Sequence, residues 1–286
     1  MKPVIVVTAR KCRLFNLKSC LCGGLMNRLS LLVVRTGTVV SLIFASGCAQ
    51  TGITLPSVGH VVEIAKESAQ EPATWIPFTA AAVILATGSD DNISDWAADN
   101  NPVFGSQNSA RRASEGLRNS LVAGMAVSSI FARIPENGDS KFRTRRVATN
   151  ALAFGTVAGI VEIGKLSFQR DRPNNRDDKS FPSGHSSGAF SSAILLEQNL
   201  NATIEQPWLR NSIKIGTLGS AAATAWARVE ANEHFPVDVL VSAALSNFVV
   251  KTFYRSIIDG EDQAKRPSIA IETSRHGFKA KLNYSF

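Results

Sequence analysis

The stretch Phe181-Pro182-Ser183-Gly184-His185-Ser186-Ser187-Gly188-Ala189-Phe190 reads as the opening of a closely packed helix. Ser183 stands where a capping hydroxyl would accept the first free backbone N–H groups. The run from 186 to 196 carries no charge and is rich in small residues, which let neighbouring helices approach. A helix over 184–198 follows. Outward from it, apolar segments of helical length recur near 74–88, 114–133, 145–169, 209–228 and 237–257. Their apolar residues return at three- and four-residue steps, as at Leu152, Val157, Ile160 and Val161. The pattern predicts an all-α fold, a bundle of about six core helices over 72–260.

Other segments differ. Residues 48–71 read as a polar linker, and 90–106 as loop with a short helical turn around Ser94–Ala98. Near the C-terminus, Phe278, Ala280, Leu282, Tyr284 and Phe286 alternate with polar residues after the turn signal Ser274-Arg275-His276-Gly277. That period of two predicts a short β-hairpin over 267–286, packed on the helices. The uncharged runs 119–132, 147–161, 186–196, 215–227 and 239–250 all fall short of the roughly 17 residues a spanning helix needs. Residues 72–89 are long enough, but contain Pro72 and Pro77. The expectation is therefore a soluble or membrane-associated bundle.

The formal net charge of +8, from 31 basic and 23 acidic residues among 286, would suggest nucleic acid if it lay on the folded body. It does not. Residues 1–47 hold seven basic residues and no acidic one, leaving 24 against 23 beyond them. No nucleic-acid partner is expected. All four cysteines lie at or before position 48, so the body has neither a disulfide framework nor a thiol metal site.

The first 47 residues read as an export segment. Basic residues precede the apolar run Thr36 to Phe44 and the small residues Ala45-Ser46-Gly47 before Cys48. Met26-Asn27-Arg28 offers an internal start, which would leave residues 1–25 upstream. The segment resembles a lipoprotein signal, with Cys48 as the lipidated residue and Ala45 where such signals usually have Leu. This resemblance implies a bacterial cell-envelope protein, periplasm-facing and lipid-anchored. Ala49 and Gln50 after the cysteine favour the outer membrane over the inner.

The chemistry-bearing residues fall in three clusters. Lys165 and Arg172 lie seven apart, two helical turns on one face, before Pro173 ends the helix. Ser183, Gly184 and His185 sit at a helix start, where free backbone N–H groups suit an oxyanion. Arg228 is followed by His234 and then Asp238, with Pro236 opening a helix between the last two. Each cluster alone has an ordinary structural reading: a solvated stripe, a cap, a hydrogen-bonded pair. Together, three cations and two histidines beside apolar helices need a common partner to justify burial. A tetrahedral oxyanion supplies one.

Lys-x6-Arg-Pro at 165–173, Pro-Ser-Gly-His at 182–185 and Arg-x5-His-x3-Asp at 228–238 resemble the type 2 phosphatidic acid phosphatase and vanadium haloperoxidase superfamily. Ala227 departs from it, since Ser commonly precedes that arginine. The resemblance implies a metal-independent phosphatase acting on a phosphomonoester or lipid phosphate through a phosphohistidine. In that reading His234 is the nucleophile, oriented by Asp238, and His185 is the acid and base. Lys165, Arg172, Arg228, the Ser183 hydroxyl and the Gly184 N–H bind phosphate, and no metal or other cofactor is expected. Arg170 and Arg176 beside the first motif read as solvated loop residues. Two alternatives stay open: a haloperoxidase that binds vanadate in the same pocket, and a non-catalytic envelope lipoprotein.

Metabolic labelling with a fatty-acid probe is expected to mark the exported protein and to leave Cys48→Ser unlabelled and released from membranes. A Cys48→Ser protein that stays tightly attached points instead to a spanning helix.

Overall fold

The computed structural model describes residues 56–134, 141–201 and 203–259, and the backbone alone of 268–274 and 277–283. Contacts divide the chain into two units, 1–50 and 51–286. The first unit, with the expected signal and Cys48, lies outside the described residues.

The described body is all-α. Its eight helices are α1 Val58–Gln70, α2 Pro72–Thr87, α3 Asp90–Asn100, α4 Gln107–Phe131, α5 Phe142–Phe168, α6 Gly184–Asn201, α7 Pro207–Glu230 and α8 Pro236–Tyr254. Six of them fall on the six apolar segments read from the sequence. The hairpin expected over 267–286 falls where backbone at most is described, so it supports no packing on the helices; the helical body stands without it.

Local chemistry sets most of the ends. Ser106 caps α4, its hydroxyl accepting the Ser109 N–H at 3.2 Å. Pro207 and Pro236 start α7 and α8, where a missing N–H costs nothing. Asn101 and Gln169 end α3 and α5 in the left-handed conformation.

Helix α6 is the centre, packed against α4, α5, α7 and α8. Ser186, Ser187, Ala189, Ser191, Ser192 and Ala193 are all buried along it. Ala189 and Ala193 pack with Leu121 of α4 and Ala221 of α7. At the end of the bundle remote from Gly184, Arg146 is almost wholly buried and donates to the carbonyls of Ser129, Ala132 and Arg133. A cation thus meets the C-terminal carbonyls of α4, which no intrahelical N–H can satisfy. Asn150 and Asn199 complete this buried layer, bonded to each other at 2.9 Å and to Ser128 and Ser129.

Three expectations are corrected. The segment 48–71 is not simply a polar linker, because α1 occupies 58–70 of it. Ser57 caps that helix through the His60 N–H, and Ile64 and Ser68 are buried as it packs against α8. One residue per turn facing inward is enough for a helix whose composition is polar. Likewise α3 runs the full length of Asp90–Asn100, with Asp90, Ser94, Ala97 and Ala98 buried. Its three- and four-residue spacing uses small and acidic residues that carry little apolar signal.

The third correction concerns length. Among the described residues, two helices are long and apolar enough to cross a membrane by length and composition, Phe142–Phe168 and Pro236–Ile258. Counting uncharged runs breaks such helices at single charges near their ends, which long side chains can carry to the interface. The two differ in setting. The apolar window of α8 is 61% buried, as a core helix requires, whereas that of α5 is only 17% buried. Ile160, Ile163, Leu166 and Phe168 of α5 are exposed, as are Trp75, Ile76 and Phe78 of α2.

Gly164 lets α5 approach the loop that enters α6. A Cβ there would lie 2.6 Å from Pro182 Cδ and 3.1 Å from its Cγ. Overpacking of this kind costs about 1–3 kcal/mol, against a helix gain of ~1 kcal/mol for Gly to Ala. Gly164→Ala is therefore expected to lower the denaturation midpoint, read by circular dichroism in detergent. An unchanged midpoint would show that Pro182 shifts freely.

Candidate active site

The C-terminus of α5, the 169–183 loop, the N-terminus of α6, the C-terminus of α7 and the start of α8 meet at one end of the bundle. The loop enters this site by backbone bonds. Ser180 N–H donates to the Arg170 carbonyl at 3.0 Å, and Arg172 N–H to the Asp177 carbonyl at 3.0 Å. Ser183 then caps α6 as the sequence predicts, its hydroxyl accepting from the Ser186 hydroxyl at 3.0 Å and, weakly, from the Ser186 N–H at 3.4 Å. Its own N–H donates to Ser242 Oγ of α8 at 2.9 Å, which ties α6 to α8.

Gly184 lies against Lys165. A Cβ at that position would sit 3.3 Å from Lys165 Nζ, so the ammonium lies directly against the first residue of α6. Lys165 also meets Glu162 at 2.6 Å.

His234 is nearly inaccessible and follows α7 by four residues. Its Nδ1 lies 2.6 Å from the Ser180 carbonyl and 3.7 Å from Asp238 Oδ2. A carbonyl only accepts, so Nδ1 carries the hydrogen and Nε2 keeps a free lone pair. The nearest partner of the ring is the Ser180 carbonyl, and Asp238 faces the same nitrogen from 3.7 Å. Asp238 Oδ2 accepts from the Ser180 hydroxyl at 2.5 Å and from the Phe235 N–H at 2.9 Å, closing the first turn of α8. Burial pushes the His234 pKa down, with Arg228 and Arg172 adding to that against the pull of Asp238. The imidazole is neutral at neutral pH.

Arg170, which reads as a solvated loop residue, is instead the strut of the site. Its Nη1 meets Asp238 Oδ1 at 2.7 Å and its Nη2 meets Asp90 Oδ2 at 2.6 Å. The guanidinium lies over the Phe235 ring, 4.1 Å from its centre. Asp90, at the start of α3, uses its other oxygen to accept the Val237 N–H at 3.0 Å. No local sequence signal marks Asp90, because its partners are 80 and 147 residues away. Arg170 is marked only by its place inside the Lys165–Pro173 motif.

The remaining cations converge on one carboxylate. Glu233 Oε2 takes Arg172 at 2.5 Å and Arg228 at 3.4 Å; Oε1 takes Arg111 at 2.8 Å and Arg176 at 3.4 Å. Arg172 also meets Asp177 at 2.6 Å. Burial would raise the Glu233 pKa, but Arg228, Arg111 and Arg172 hold it below its usual range. Arg228 is buried, and burial draws its pKa down to about 10. Ala227 beside it offers no hydroxyl and packs with Ala110 and Ala231; a weak hydroxyl contact reaches Arg228 Nη1 from Ser114 of α4, at 3.4 Å. Sequence reasoning missed Glu233, Arg111 and Ser114. His185, in the first turn of α6, has its pKa pushed down to about 3 by burial and then by Arg228.

The structure thus gathers Lys165, Arg172, Arg228, Ser183, Gly184, His185, His234 and Asp238 on the helix ends that surround this site. The arrangement offers a neutral imidazole with a free Nε2, a second imidazole, two helix-end backbones and a set of guanidinium groups suited to an oxyanion.

Comparison with known proteins agrees. The model of the PAP2 superfamily matches residues 146–260. A lipid A 1-phosphatase from Porphyromonas gingivalis is 32% identical over 117 residues, which is 41% of this chain and 25% of that protein. The chain therefore spans about a quarter of the length of this curated relative. The crystal structure of a transmembrane PAP2-type phosphatidylglycerolphosphate phosphatase from Bacillus subtilis superposes with a TM-score of 0.50 at 20% identity. The match covers 68% of this chain and 96% of that one, and it shows a shared fold.

Removing Arg170 leaves Asp90 and Asp238 facing each other without a cation. Breaking a buried pair from one side costs about 3 kcal/mol or more. Arg170→Ala is expected to lose roughly that much in chemical denaturation, and Arg170→Lys, which cannot span both carboxylates with a planar fork, to recover only part. Full stability in Arg170→Ala would show that the strut is dispensable.

Proposed function

We propose that the chain, whose residues 146–260 match the model of the PAP2 superfamily, is a metal-independent phosphatase of lipid phosphates at the bacterial cell envelope. One observation carries this reading. The Nδ1 hydrogen of His234 is spent on the Ser180 carbonyl, while burial, with Arg228 and Arg172 adding to it, keeps the ring neutral. A neutral imidazole with a free Nε2 beside guanidinium groups is a poised phosphorus nucleophile.

The reaction has two steps. Lys165, Arg172 and Arg228 hold the nonbridging oxygens, helped by the Ser183 hydroxyl and the N–H at Gly184. His234 Nε2 attacks phosphorus and forms a P–N bond as the P–O bond to the leaving alcohol breaks. His185 delivers a proton to that oxygen. Water then attacks the phosphohistidine with His185 as base, and inorganic phosphate leaves while His234 returns to its neutral form. Asp238 stabilises the imidazolium through Ser180 and the helix start. Burial, and after it Arg228, depresses His185; an arriving phosphate dianion opposes the cationic part of that depression and favours the protonated acid. Fixed cations take the place of a metal ion.

A lipid substrate is supported by the similar lipid A 1-phosphatase and by the exposed apolar residues of α2 and α5. Membrane attachment through lipidated Cys48 is the anchoring we propose, and the fold is equally consistent with the inner or the outer membrane.

Phosphate release from p-nitrophenyl phosphate and phosphatidic acid by the purified full chain tests this. Wild type is expected to be active in EDTA and to be inhibited competitively by orthovanadate. His234→Ala is expected to lose at least 10³-fold in kcat while keeping its helical circular dichroism, the usual scale for removing a nucleophile. Activity within tenfold of wild type, or loss of activity in EDTA, overturns the mechanism.

A further inference from the structure

Glu233 has no part in the motifs or in the two steps above, yet the site closes around it. It is 5% exposed and stands between Arg228 and His234 in the chain. Its backbone is fixed first. The Arg228 carbonyl, near the end of α7, accepts the Glu233 N–H at 3.1 Å and the His234 N–H at 3.3 Å, with Asn232 in the left-handed conformation turning the chain back. The carboxylate then returns to the Arg228 side chain. Arg228 thus meets Glu233 through both its carbonyl and its guanidinium.

The two carboxylate oxygens divide the cations. Oε2 takes Arg172 at 2.5 Å and Arg228 at 3.4 Å, the pair assigned above to phosphate. Oε1 takes Arg111 at 2.8 Å and the more exposed Arg176 at 3.4 Å. Arg172 comes from the 169–183 loop and Arg228 from α7, and like charges on long side chains move apart unless an anion is held between them. Arg111 supplies the anchorage. It follows Ala110 on α4, which packs against Ala227 of α7 and Ala231 just beyond it. Arg228 Nε is buried and has no hydrogen-bond partner among the described residues. Glu233 therefore holds one edge of this guanidinium and leaves a donor for another oxyanion.

We propose that Glu233 is a positioning residue: it holds Arg172 and Arg228 at the separation the transferring phosphoryl group needs and, as the residue before His234, fixes that pair relative to the nucleophile. The inference rests on the phosphatase reading above. Glu233 touches no reacting atom. It acts through the two guanidinium groups, and Arg111 acts through Glu233. A displacement of about 1 Å in such groups can cost ~10²-fold in rate, so the effect falls on turnover more than on holding a phosphate ion.

Hydrolysis of p-nitrophenyl phosphate by the full chain in detergent, with inorganic phosphate and orthovanadate as inhibitors, tests this. Glu233→Gln is expected to lower kcat about tenfold or more, while the Ki of inorganic phosphate stays at or below the wild-type value because every cation remains. Orthovanadate, which takes up the five-coordinate geometry of transfer, is expected to lose affinity by a similar factor. A merely structural role lowers the amount of active enzyme and leaves the ratio of the two Ki values unchanged; that result overturns the proposal, as does a kcat within about twofold of wild type. Glu233→Asp keeps the charge but is one carbon short, and is expected to recover part of the lost kcat. Arg111→Ala keeps the proposal testable where Glu233→Gln fails to fold. It is expected to lower kcat about threefold or more, to shift the Ki ratio in the same direction, and to add little in a double variant with Glu233→Gln. Losses that multiply in the double variant overturn it. If wild type itself releases no phosphate from p-nitrophenyl phosphate, the phosphatase reading has failed and takes this proposal with it.

Discussion

One planar cation holds the site together. Arg170 joins Asp90 at the start of α3 to Asp238 in the first turn of α8, and each carboxylate passes the constraint on. Asp90 fixes the Val237 N–H, and Asp238 fixes Ser180, whose carbonyl sets the His234 tautomer. His234 is thus positioned by a chain of charge-assisted bonds that begins on a loop and ends on two helices. A lysine has one point of charge and could not serve both carboxylates with the same geometry.

Close packing gives that chain something rigid to attach to. The serines and alanines of α6 bring four helices around one axis, and the Ser183 N–H reaches Ser242 of α8 because nothing larger intervenes. At the other end, the carbonyls of α4 are gathered by Arg146. On the flank, Glu230 accepts the Val103 and Phe104 N–H groups and the Trp226 indole N–H, fastening the loop before α4 to α7. Buried polar groups here are paired across helices, so they specify which helices are neighbours.

The parts of this molecule legible in sequence are those whose signal is local. Lys165 and Arg172, the Ser183-Gly184-His185 helix start, and Arg228 with His234 and Asp238 each lie within one short segment; yet the shared helix face expected of Lys165 and Arg172 is corrected, because Gln169 ends α5 in the left-handed conformation and leaves Arg172 on the loop. Asp90, Arg111 and Ser114 reach the site from segments distant in sequence, and spacing rules carry no record of such contacts. Glu233 was passed over for another reason: an acidic residue is not sought where an anion is to bind. Helix α1 was hidden by its polar composition, and Arg170 by an exposed-looking loop whose partners are carboxylates buried elsewhere. The membrane question turned on arithmetic as much as physics, since unbroken uncharged runs undercount helices that keep charges only near their ends.

Glu233 has a kinetic consequence. With four guanidinium groups resting on a carboxylate that belongs to the chain, an entering oxyanion exchanges one counter-ion for another and does not fill a bare positive hole. The net affinity for any anion is then a difference between two similar attractions, smaller than the number of arginines suggests. The same carboxylate is at hand when product must go, tethered beside the cations at an effective concentration no solute reaches. Under the function proposed above, a site this basic can therefore bind phosphate and still let it leave.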